Sequence, residues 1–165
     1  MVHSDGRTHE RTVMRLPRSA AGWTVAVFGG TALLSGVLGL LWPAALLGML
    51  GLAVPPTRAS GDHTGTFLVA SSMAAFNMGV YYLLAAVGDW RPFFRFTVVF
   101  RLVTVCVFTL VVVADVAPVG FLGVAVWEGV GALATALGLR VDARRRVGGA
   151  GGAGPSSALV AGAGL

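Results

Sequence analysis

The sequence has no lysine, only one cysteine, and little charge of either sign. Charged types make up 12% of its 165 residues, against roughly 25% in soluble domains. That is too little to coat a water-facing surface, and it argues against a soluble fold. The single Cys106 rules out an intramolecular disulfide and any Cys-x-x-Cys metal site. No nucleophile with a base beside it, paired acids or metal-ligand cluster stands out, so no catalytic residue, metal ligand or cofactor is expected. All twelve basic residues are arginine. With Ala, Gly and Val also abundant, this reads as genomic base-composition bias. The formal charge of +5 does not point to nucleic acid, because no soluble segment interleaves basic and aromatic residues. Flanking arginines on a membrane protein meet anionic lipid and set orientation instead.

What is present is apolar: 56% of residues, in long runs almost free of charge. Gly22–Leu41 is 20 residues long, enough to cross ~30 Å of hydrocarbon at ~1.5 Å per residue. It exceeds the ~7–15 residues of a signal-peptide core, so it is expected to stay as a first span. Trp42-Pro43 should end it. The apolar stretch 44–54 is too short to span and is expected to form an interfacial half-helix, closed by Pro55-Pro56. Further spans are expected at 66–88, 96–114 and 118–139. The third is valine-rich, but an open strand in lipid would strand its backbone polar groups, so helix is expected there too. The leader 1–21 is arginine-rich, and 141–165 reads as a basic and then Gly/Ala-rich disordered tail. The expected fold is therefore all-α: an integral membrane four-helix bundle over 22–140.

Arginine placement sets the expected orientation. Four arginines precede the first span, Arg91 and Arg95 flank the second connection, and four follow the fourth span; the other two connections share only Arg58. By the positive-inside rule both termini should lie in the cytoplasm, with the chain in an inner or plasma membrane.

Three polar residues sit deep in these runs: Asn77, Arg101 and Glu128. Helix rise places Arg101 about 9 Å, Asn77 about 16 Å and Glu128 about 18 Å from the arginine-rich edge. A charge at mid-membrane costs about 2.5–3.5 kcal/mol on insertion scales; an Arg101–Glu128 pair or a neutral Glu128 would relieve most of it, and the long Arg101 side chain could equally snorkel to the cytoplasmic headgroups. The third and fourth spans are joined by a very short turn, which makes them antiparallel neighbours. Helical spacing adds Thr97 and Thr104 to the face of Arg101, and Met73 and Tyr81 to that of Asn77. Trp127 and Gly131 flank Glu128. Asn77, Tyr81, Thr97, Arg101, Thr104 and Glu128 thus form the candidate cluster. Three roles fit it: a structural cluster fixing helix register, a binding site for a lipid or other small hydrophobic molecule, or a proton path through Glu128. Tyr81-Tyr82, Trp23, Trp42 and Trp90 are expected as interface anchors.

The layout resembles the small four-helix bacterial membrane proteins of the DoxX/BphX-like kind. The resemblance rests on Leu41-Trp42-Pro43, the short apolar segment after it, Asn77-Met78-Gly79, Tyr81, Leu83-Leu84-Ala85-Ala86 and Asp89-Trp90-Arg91. It covers about residues 22–140. Some members of that group are associated with redox enzymes or quinone chemistry, and no catalytic residue carries over. The resulting expectation is a non-enzymatic accessory subunit or a binder of a lipid or other small hydrophobic molecule. The alternative is a proton-coupled transporter or channel acting as an oligomer, with Glu128 titrating. Expected partners are the lipid bilayer and a homo-oligomer or membrane partner, with no nucleic acid.

Overall fold

The computed structural model describes residues 16–53 and 59–150. It is all-helical: α1 (Ala20–Leu41), α2 (Pro43–Met49), α3 (Thr64–Val87), α4 (Arg91–Val113) and α5 (Phe121–Ala150). The four long helices are each long and apolar enough to cross a membrane. Large apolar side chains such as Leu34, Phe67, Leu110 and Val126 point outward from them. In water such a surface would aggregate; in lipid it is the solvent-facing side. Most of the leader, the Pro55-Pro56 step with Arg58, and the Gly/Ala-rich stretch after residue 150 lie outside the described residues.

Each helix begins and ends for a local reason. Ser19 caps α1, its Oγ accepting the Gly22 amide at 3.0 Å. The Asp142 carboxylate, reaching over from α5, accepts the amides of Ala20 and Ala21 at 2.9 and 3.1 Å. Three amides at the start of α1 are thereby satisfied, where an unpaired one in lipid costs several kcal/mol. Pro43 breaks α1 from α2, because the residue before a proline is driven out of helical geometry. The half-helix expected over 44–54 is observed as Pro43–Met49, with no buried residue. Proline also stands in the first turn of α4, where its missing amide costs nothing.

α3 and α4 end alike. After each, an aspartate takes a left-handed conformation, Asp89 at φ 48° and Asp115 at φ 54°. The next amide reaches back to close the helix, Trp90 to the Ala85 carbonyl at 3.0 Å and Val116 to that of Val111 at 2.9 Å. α5 starts at Phe121, just after Pro118, and continues to Ala150, well beyond the limit expected at Leu139. The contact of Asp142 with the start of α1 explains the extension, since it fastens the extra turns to the bundle.

α1 is central and packs on both α3 and α5, and α5 packs on α4. Backbones of α1 and α3 nearly touch. A Cβ on Gly36 would stand 2.5 Å from the Phe76 amide nitrogen, and one on Gly79 2.5 Å from that of Leu33. Only glycine allows this approach, a common way to pack helices in membranes. α5 uses Gly138 likewise against Ala21. Gly36, Gly79 and Gly138 are thus used for packing within the chain.

The helices form a row, α3–α1–α5–α4, folded toward closure. The turn 88–90 joins α3 to α4, yet the two are not packed along their lengths. They meet at the arginine-rich end, where Ala21, Val25, Ala85, Ala86 and Phe94 form the buried core and Tyr82 and Phe93 pack edge to face at 5.6 Å. Beyond that core a slot opens between them.

The two left-handed aspartates should respond differently to mutation. Asp115→Gly relieves conformational strain and should raise stability in detergent by about 1 kcal/mol. Asp89→Gly relieves the same strain but removes the acceptor for Ser19 and Arg91, and should be destabilising by about 1 kcal/mol. Thermal unfolding of both variants checks this; a matching rise would show that the Asp89 contacts contribute nothing.

Candidate functional site

Four spans converge on one guanidinium. Arg101, midway along α4, is 4% exposed, and its Nη1 donates to Glu128 Oε2 on α5 at 3.0 Å. Its Cζ lies 4.1 Å from the ring centroid of Phe28 on α1 and 5.2 Å from that of Tyr82 on α3. These rings offer their negative faces to the cation where water does not. Trp127 buttresses Phe28 from the side, ring centroids 4.6 Å apart. Gly131 makes the arrangement sterically possible, because a Cβ there would run into Arg101 Nη1 and the Phe28 ring. Thr97, one turn before Arg101, is buried and interacts with Tyr82.

Of the arrangements that depth allows, the structure has Arg101 paired with Glu128, and Thr97 lies beside the pair. Thr104 stands at the slot wall, its hydroxyl donating back to the Phe100 carbonyl at 3.0 Å. Asn77 and Tyr81 are exposed and line no part of the slot. Helix phase is the reason. The tight contact with α1 turns Ser72, Gly79, Tyr82 and Ala86 inward. That rotation carries Asn77 and Tyr81 outward and replaces Tyr81 with its neighbour. Tyr82, expected as an interface anchor, is instead part of the site, while Trp23, Trp42 and Trp90 are exposed. Phe28 carried no sequence signal of its own, being one apolar residue in an apolar run.

The pair lies on the floor of the slot between α3 and α4, a cavity of about 430 Å³. Its walls are Met78 and Tyr82 on one side and Phe100, Val103 and Val107 on the other. Glu128 is 25% exposed, whereas Arg101 Nε is buried and has no hydrogen-bond partner. The site therefore presents a largely apolar trough with one accessible carboxylate at its base. Such a trough has room for an apolar molecule with a polar head. Among the described residues no cluster of His, Cys, Asp or Glu is suited to a metal ion. No family model, curated protein or solved structure matches the chain.

Removing one partner of the pair should cost more than removing both. Glu128→Leu strands a guanidinium, which cannot shed its charge, and should destabilise by about 3–5 kcal/mol. Arg101→Leu should cost less, since a stranded carboxylate can be neutralised by a proton. The double variant should recover most of the loss. Unfolding in mixed micelles measures all three; additive losses would show that the two charges are not coupled.

Proposed function

We propose that the protein is a non-enzymatic membrane binder, with the slot between α3 and α4 holding a lipid or other small hydrophobic molecule that carries a hydrogen-bonding head. The supporting observation is an ion pair whose carboxylate is left open to the slot. A pair serving only to fix helix register would be expected to be sealed on both sides; here Arg101 is buried but Glu128 is 25% exposed. A hydroxyl in the slot would donate to the Glu128 carboxylate, and the apolar walls would receive the rest of the molecule. An accessory role beside another membrane protein is compatible with this chemistry. The layout shared with DoxX/BphX-like proteins makes a quinone the first ligand to try. The arginine count supports a cytoplasmic location for the end that carries Ser19, Arg91 and Arg145, in a bacterial inner or plasma membrane.

Native mass spectrometry from lipid nanodiscs tests the binding. The wild type should retain a hydrophobic adduct, and Val103→Trp, which fills the slot from its lipid-facing wall, should lose it without loss of thermal stability. A wild type free of adduct under gentle release, and unresponsive to added quinone, would rule the reading out.

The exposure of Glu128 also favours a second reading, a proton-coupled path within an oligomer. There Glu128→Gln should abolish pH-driven flux in proteoliposomes while the helices stay folded. Flux that persists in this variant, or none in the wild type, would exclude it.

A further inference from the structure

A second cavity, of about 340 Å³, lies at the arginine-rich end, away from the slot. Arg18, Arg91, Arg145 and Arg146 surround it, together with Ser19, Asp89 and Asp142. The last three are already engaged in holding the fold together. Ser19 donates to Asp89, and Asp89 also accepts from Arg91 Nε at 3.3 Å. Asp142, 6% exposed, is bound to the first amides of α1. Among the described residues no carboxylate lies in ion-pair range of Arg18, Arg145 or Arg146. Four guanidinium groups and two carboxylates line the cavity, so among the described residues it carries net positive charge.

The convergence is built by the fold. Asp142 fixes the rotation of α5, and Arg145 and Arg146 follow it by three and four residues, on the same helical face. Arg144 falls outside that face and outside the lining. The Asp142 carboxylate is nearly buried and both its oxygens accept amides of α1, which fixes this part of α5 against the start of α1. Guanidinium forks match the oxygens of a phosphate, and several together suit a group with net negative charge. The cavity stands where α1 and α4 begin, at the level of exposed Trp23 and Trp90, a side chain that favours the headgroup region.

We propose that this cavity binds a phosphate ester with no cancelling cation, either the headgroup of an anionic phospholipid or a soluble phosphate compound. The site does not depend on the reading of the slot. Full-length protein in phosphatidylcholine nanodiscs with a minor share of phosphatidylglycerol supplies the test, read by native mass spectrometry with and without added inorganic phosphate. Arg145→Gln and Arg146→Gln should each weaken phosphatidylglycerol retention about tenfold, and Arg144→Gln, with the same loss of charge, should leave it near wild type. Arg145→Lys, which keeps the charge but loses the fork, should lie between. Retention that survives millimolar inorganic phosphate identifies the lipid headgroup. Phosphate binding that displaces the lipid, with the same dependence on Arg145 and Arg146, identifies the soluble source. Equal losses in Arg144→Gln and Arg145→Gln would reduce the effect to diffuse surface charge and overturn the proposal. So would absence of both phosphatidylglycerol and phosphate binding in the wild type.

Discussion

A permanently charged guanidinium inside an apolar bundle constrains everything around it. Arg101 cannot face lipid without a cost of a few kcal/mol, so the chain encloses it with one residue or more from each of the other three spans. Glu128 supplies the counter-charge, and Phe28 and Tyr82 supply ring faces. Gly131 supplies the space. These contacts reach across α1, α3, α4 and α5 at one depth, and they couple α3 to α4, which otherwise meet only near their connecting turn. Apolar helices in lipid lack a strong hydrophobic drive to associate with one another, so a polar centre of this kind gives the bundle its specificity.

Two further features share the work. The glycine contacts hold α1 against α3 so closely that neither helix can rotate without a clash. At the arginine-rich end, the Asp142 carboxylate and the Ser19–Asp89–Arg91 chain tie α5, α1 and the α3–α4 turn together. The bundle is therefore fastened at one end and at the level of Arg101, and it opens between α3 and α4 beyond them.

Much of this organisation is readable from residue order. Charge-free runs mark the spans, and turn residues with arginines mark the connections. Depth along a helix, together with a short connection, allows Arg101 to meet Glu128. Rotation about each helix axis is what order does not reveal. These helices are apolar nearly all round, so no amphipathic stripe reports which side faces inward. Asn77 and Tyr81 looked as central as Arg101 for that reason, yet they face outward, whereas Tyr82 and Phe28, which looked ordinary, face the charge. The end of α5 was obscured differently. Consecutive arginines after Leu139 resemble a flank where order stops, and the single Asp142 among them gains meaning only when it is seen to cap a helix from a distant part of the chain.

The organisation around Arg101 makes a direct demand on the protein in bilayers. Solid-state NMR on protein labelled in arginine nitrogen and glutamate carbon measures the through-space coupling between the Arg101 guanidinium and the Glu128 carboxylate. A strong coupling, lost in Glu128→Gln and accompanied by slow hydrogen exchange at the guanidinium, is the expected result. No coupling, with fast exchange showing that Arg101 reaches water at the membrane edge, would contradict the account.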